Sequence, residues 1–169
     1  MDAKVLNLAR CIALLAIILG FSTMARAANN CPWLNEATAS GILGGDATGL
    51  YEPAEAGKPA TCTFAQTESG ITRQLVIAVE IVAKPHDRLV ELMHNCGPMS
   101  QPVPSIGNEA LRCAAADGKA HGERVIGRVR DQIFTISITT TAERDSVLAP
   151  HELAMRSLTA AEEVSGNLF

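Results

Sequence analysis

The sequence lacks the local signatures of the common hydrolytic and nucleotide-using enzymes. It contains no G-x-S-x-G elbow, no H-E-x-x-H pair and no Walker loop. The nucleophile, zinc and phosphate-cradling devices that those motifs encode are therefore missing in their familiar forms. Gly41 to Gly49 is glycine-rich, but it follows a predicted helix and has no Lys, so it reads as a helix cap and loop. Internal repeats and low-complexity tracts are also missing. Aromatic residues are scarce, at 4% with one Trp and one Tyr. Trp33 reads as packing beneath the first helix, with a binding anchor as the alternative.

Beyond the amino terminus the chain has neither a long apolar run nor an excess of positive charge. Its start differs. Lys4 and Arg10 precede an apolar stretch from Cys11 to Phe21, and Ala25-Arg26-Ala27 supplies a small-residue cleavage site. A charged start, a short apolar core and an A-x-A site predict a secretory signal peptide over residues 1–27. The apolar core is shorter than the roughly 20 residues of a spanning helix. Ala28-Asn29-Asn30 before Cys31 is not a lipobox. Removing Asp2, Lys4, Arg10 and Arg26 from 14 basic and 18 acidic residues leaves a net charge of −6 over residues 28–169. That balance disfavours non-specific nucleic-acid binding. The longest later apolar run, Leu75 to Ala83, is interrupted by Glu80, so no integral membrane segment is expected after cleavage.

Four cysteines follow the cleavage site: Cys31, Cys62, Cys96 and Cys113. An even number in an exported chain reads as two disulfides. Of the three connectivities, Cys31–Cys62 with Cys96–Cys113 is preferred, because each bridge then ties a helix end to a nearby segment. The spacing lacks the paired C-x-x-C of a zinc site.

Hydropathy patterning predicts one domain over 28–169. Asn35 caps a helix over Glu36 to Leu43, stopped by Gly44-Gly45. A short strand is expected near Leu50 and Tyr51, and longer ones over Thr61–Gln66 and Arg73–Val82. The last is apolar on nearly both faces and so central. Pro85 opens a helix from His86 to about Asn95, with Leu89, Leu92 and Met93 inward and Gly97-Pro98 closing it. Gln101 to Pro104 reads as an extended loop, and Ser105 to Ala110 as a turn entering a strand through Cys113. Glu123 to Thr140 forms a hairpin. With Asp131-Gln132 as its turn, Arg130 opposes Ile133, and Val125, Gly127 and Val129 oppose Ile138, Ile136 and Phe134 on one face. Only Ile126 and Ile133 break the alternation. A helix after Pro150 buries Ala154, Leu158, Ala161, Val164 and Leu168. The expected fold is α+β: a mainly antiparallel sheet of about five strands with helices packed on one face.

The polar face of the hairpin carries the candidate ligand-binding residues. Arg124, Arg128 and Arg130 form a basic row backed by hydroxyls of Thr135, Ser137 and Thr139. Guanidinium forks beside hydroxyls suit carboxylate or phosphate. A solvated outer face that blocks edge pairing is the bland alternative. Asp87, Glu91 and His94 share one helical face as potential metal ligands, and they read more simply as its solvated side. His121, in the loop from Gly118 to Gly122, and His151, after Pro150, read as surface residues. No catalytic residue, metal or cofactor is assigned.

Taken together, Cys31-Pro32-Trp33-Leu34, Gly44-Gly45, Ile106-Gly107-Asn108-Glu109-Ala110, Gly127-Arg128-Val129-Arg130-Asp131-Gln132 and Gly166-Asn167-Leu168-Phe169 carry a resemblance. The chain resembles a family of uncharacterised exported bacterial proteins. Its opening cysteine and Gly-Asn-Glu-Ala turn are loosely similar to actinobacterial lipoproteins of unknown function. The resemblance implies an envelope location and an α+β fold, and it transfers no activity. The missing lipobox departs from the lipoprotein pattern. The resulting expectation is a periplasmic or secreted, non-enzymatic binding module for an envelope protein or a small anionic ligand. The rival classes are an envelope hydrolase using His94 with Glu91 or Asp87, and a structural envelope component.

Overall fold

Alternating apolar and polar residues organise the largest share of the regular structure into strands. The computed structural model describes residues 30–97 and 99–169. The signal peptide expected over 1–27 and the Pro98 helix stop lie outside the described residues. Helix α1 spans Glu36–Leu43, α2 Pro85–His94 and α3 Pro150–Asn167. The strands are β1 Thr48–Glu52, β2 Ala60–Glu68, β3 Ile71–Ile81, β4 Gln101–Pro102, β5 Glu109–Asp117, β6 Ala120–Val129 and β7 Gln132–Thr140. They form one sheet of order β1-β2-β3-β7-β6-β5-β4, antiparallel throughout.

Seven strands among the described residues replace the expected five or so. β4 is the added element, a two-residue edge pairing within the segment read as an extended loop. β5 runs on to Asp117, and β6 starts at Ala120 rather than near Glu123. They meet at Gly118-Lys119, where Gly118 has φ 58°. β2 and β3 likewise extend until they meet at Ser69-Gly70, whose φ values of 51° and 79° are those of a primed hairpin turn. His121 accordingly lies in β6, not in a loop.

The helices occupy both faces of the sheet, not one. α1 and α3 cover the face bearing Phe64, Leu75, Ile77, Val125, Phe134, Ile136 and Ile138, which form the main core. α2 covers part of the other face, where Leu89 packs on Ile126 and Ile133. Those two isoleucines interrupt the hairpin's alternation because a second layer sits above them. Leu92 is half-buried and Met93 is 38% exposed, so the buried stripe of α2 is narrower than expected. In α3 the buried stripe includes Leu153 and Ser157, while Ala154 and Leu158 flank it. The buried hydroxyls of Ser157 and Ser165 donate to the carbonyls of Ala154 and Glu162, so their burial leaves no orphaned donor.

Both disulfides form as expected, Cys31–Cys62 and Cys96–Cys113, spanning 31 and 17 residues. Each contributes about 3 kcal/mol in the chain-entropy description. The first holds the segment before α1 to β2; the second holds the end of α2 to β5.

A buried ion pair anchors the last connection. Arg73 on β3 donates to Asp145 through Nε at 2.7 Å and Nη2 at 2.8 Å, and through Nη1 to Gln66 Oε1 at 2.9 Å. Asp145 also accepts the Thr140 hydroxyl at 2.7 Å and the amides of Val147 and Leu148. Arg73 is 3% exposed and Asp145 5%. With every group satisfied, the pair locates the segment between β7 and α3.

Removing one partner leaves a buried charge uncompensated, which costs about 3–5 kcal/mol. Asp145→Ala is therefore expected to lower unfolding free energy by that amount in urea titrations. Hydrogen bonding to Arg73 holds the Asp145 carboxyl well below the usual carboxylate range, with burial opposing. A carboxyl depressed in the folded state contributes stability above its unfolded pKa of about 3.9, and that contribution is lost as pH falls toward the folded value. Below pH of about 4 the wild type should lose stability with a component that Asp145→Asn lacks.

Candidate functional site

The β6–β7 hairpin turns at Arg130-Asp131, one position earlier than expected. Val129 pairs with Gln132, Gly127 with Phe134 and Val125 with Ile136. Every β6 residue thus meets a β7 residue two positions earlier in sequence than the predicted partner. A shift of two keeps each side chain on its own face, so the core pattern survives while the pairs on the outer face change.

Three neighbouring contacts hold the turn there. Arg130 adopts φ 55°, and its amide donates to Asn108 Oδ1 at 2.8 Å. The Asn108 amide donates to Arg128 O at 2.7 Å. Gly107, at φ 59°, comes so close that an added Cβ would lie 2.5 Å from that same carbonyl. Gly127 leaves room for the Phe134 ring, 2.3 Å from where its own Cβ would be. Ile106-Gly107-Asn108-Glu109 and Gly127-Arg128-Val129-Arg130-Asp131-Gln132, separate in sequence, are one clamp in space. Sequence reading saw both segments but not their contact. The signal was Gly107-Asn108 entering β5, a pair suited to left-handed backbone and to side-chain capping.

This clamp divides the basic row. Arg128 binds Glu109, with Nη2 to Oε1 at 2.7 Å and Nε to Oε1 at 2.8 Å, and it donates to Arg130 O at 3.1 Å. His86 Nδ1 meets the same carboxylate at 3.1 Å. Hydrogen bonding from Arg128 holds the Glu109 carboxyl below its ordinary range, against a smaller effect of burial. Arg130 stands on the turn with its guanidinium 5.7 Å from the Phe169 ring centroid. Arg124 has no carboxylate partner among the described residues; Nε donates to Ser137 Oγ at 3.1 Å. On β5, Arg112 lies 3.6 Å from Glu123, whose carboxyl burial pushes up and Arg112 pulls down.

Of the candidate hydroxyls, Ser137 therefore faces Arg124, Thr135 faces Ile126 and Thr139 faces Gly122. Arg124, Ser137 and Thr139 line a shallow depression of about 300 Å³ with Gln74, Val76 and Asp117. It lies on the open part of the face that α2 partly covers. Arg128, Arg130 and Thr135 do not line it.

The remaining candidates stay apart. Asp87, Glu91 and His94 are exposed, and Glu91 is bound by Arg88 Nη1 at 2.8 Å. Among the described residues no group of three or more His, Cys, Asp or Glu side chains is placed to hold a metal ion. His151 is exposed beside Glu152. Trp33 is half-buried, packs on the main core and meets Tyr51 edge-on at 6.1 Å.

Gly107→Ala introduces a Cβ against the Arg128 carbonyl at a left-handed position, and should cost about 1–3 kcal/mol in chemical denaturation. Amide spectra of that variant should change at residues 128–132 before they change in α1.

No family model, curated protein or solved structure matches the chain.

Proposed function

We propose that the chain is an exported binding module, without catalytic chemistry of its own, that takes a small anionic group in the depression around Arg124. One observation carries the reading: of the two members of the basic row without a carboxylate partner among the described residues, Arg130 stands over the Phe169 ring, whereas Arg124 sits beside the hydroxyl of Ser137 and lines a depression. Carboxylate or phosphate is the chemistry that a guanidinium and adjacent hydroxyls complement. Arg128, the next basic residue on this face of β6, is neutralised by Glu109, so Arg124 remains the positive side chain of a depression that also contains the Asp117 carboxylate. The export reading rests on the amino-terminal pattern and on two disulfides, which form and persist in oxidising compartments.

Calorimetry with inorganic phosphate and with succinate at low salt tests the site. Saturable binding is expected for at least one of them. Arg124→Ala should weaken it about tenfold, or 1.4 kcal/mol, with a smaller loss for Ser137→Ala. No binding by the wild type, or equal binding by Arg124→Ala, overturns the reading.

Export makes a separate prediction. Protein recovered from the envelope or medium should begin at Ala28 on amino-terminal sequencing, and a chain still beginning at Met1 refutes it.

A further inference from the structure

We propose a second binding site, at the end of β3, that accepts an extended peptide as an added strand. β2 begins at Ala60, paired with Val79, while β3 continues to Ile81. On its other side β3 remains covered, since Ile81 lies opposite Gln132 of β7. The last residues of β3 therefore have a partner strand on one side only.

The phase of the ladder shows where the Ile81 backbone points. Glu68 and Ile71 close a two-residue hairpin loop, so they form a hydrogen-bonded pair. Odd-numbered residues of β3 from Ile71 onward then direct N–H and C=O toward β2. Ile81 keeps that phase, and β2 has already ended. The other hairpin agrees. Val129 and Gln132 close their own two-residue loop, so Gln132 bonds toward β6 and leaves Ile133 to bond Glu80. Val82 then donates to Asp131 O at 3.0 Å, on the β7 side. The Ile81 N–H and C=O are left facing outward, and no loop or side chain among the described residues takes up either one.

These groups front a groove of about 470 Å³ whose apolar lining includes Trp33, Pro59, Val79 and Ile81 and whose polar lining includes Lys58 and Glu80. The Ile81 side chain is 75% exposed, more open than any other large apolar residue of the sheet. An unpaired donor and acceptor at strand spacing, flanked by apolar walls, complement a peptide backbone with an apolar residue at alternate positions. Two of the chain's other edge positions are blunted by its own groups. On β1 the outward amide of Gly49 is taken by Glu36 Oε1 at 2.8 Å, and β4 has only two residues, one of them Pro102. The notch at Ile81 has no such cover.

The probe is acetyl-Val-Thr-Val-Thr-Val-amide, its central Val opposite Ile81, titrated into the full domain and followed by amide NMR and hydrogen exchange. Saturable shifts at Ile81 and at Trp33 are expected, with exchange of the Ile81 amide slowed at least about tenfold at saturation. A peptide N-methylated at its central residue keeps every side chain but loses the ladder donor, and should bind about tenfold more weakly. Trp33→Ala should weaken binding several-fold, and Arg124→Ala should leave it unchanged. Absence of shifts at millimolar peptide, or equal binding by the N-methylated peptide, overturns the proposal. So does slow Ile81 exchange without peptide that accompanies dimerisation in sedimentation equilibrium, since the notch would then be occupied by a second copy.

Discussion

The hydrogen bond from the Arg130 amide to Asn108 decides where the β6 strand reverses, and much of the molecule's surface chemistry follows from that position. Moving the reversal by one residue shifts the β6 partners of β7 by two. Arg124 would then lose Ser137, and Arg128 would move relative to the Phe134–Ile138 strand while the apolar face stayed filled. Hydrophobic burial cannot choose between the two registers, because both put Val125 and Val129 on the core side. The choice falls to polar groups at the end of the hairpin: Asn108 on the turn amide, Glu109 on Arg128, and Gly107 close against the Arg128 carbonyl.

This explains why the sequence revealed the fold more fully than the site. The α1 caps, the core face of the hairpin, both disulfides and the position of α3 are written in local chemistry: Asn35, Gly44, alternating valines and isoleucines, Pro150. The second helical layer was also written, but as an apparent error. Ile126 and Ile133 looked misplaced only under the assumption that one face of the sheet was open. The partner of Arg124 was not legible, since it depends on a contact between segments some 20 residues apart. The same holds for the Ile81 notch, which exists because β2 starts later than β3 ends.

Polar interiors and covalent links share the work of holding the periphery. The main core fixes the central strands, where Leu75, Ile77, Ile136 and Ile138 are fully buried. Segments outside it need other attachments. Cys31–Cys62 secures the entry to α1, Cys96–Cys113 the exit from α2, and Arg73–Asp145 the approach to α3. α2 has the smallest apolar footing of the three helices, and it adds Arg88 to Glu80 and His86 to Glu109 around its three-residue cluster. The two proposed sites lie on strands rather than on these attached segments, so their geometry is set by the rigid part of the molecule.

The carboxylate of Glu36 on the Gly49 amide has a colloidal consequence. A neighbouring copy approaching β1 meets an occupied donor and a negative charge where a growing ladder would need an open amide. At that point of the edge a second strand finds no free donor. The β1 edge thereby carries its own obstacle to ladder growth.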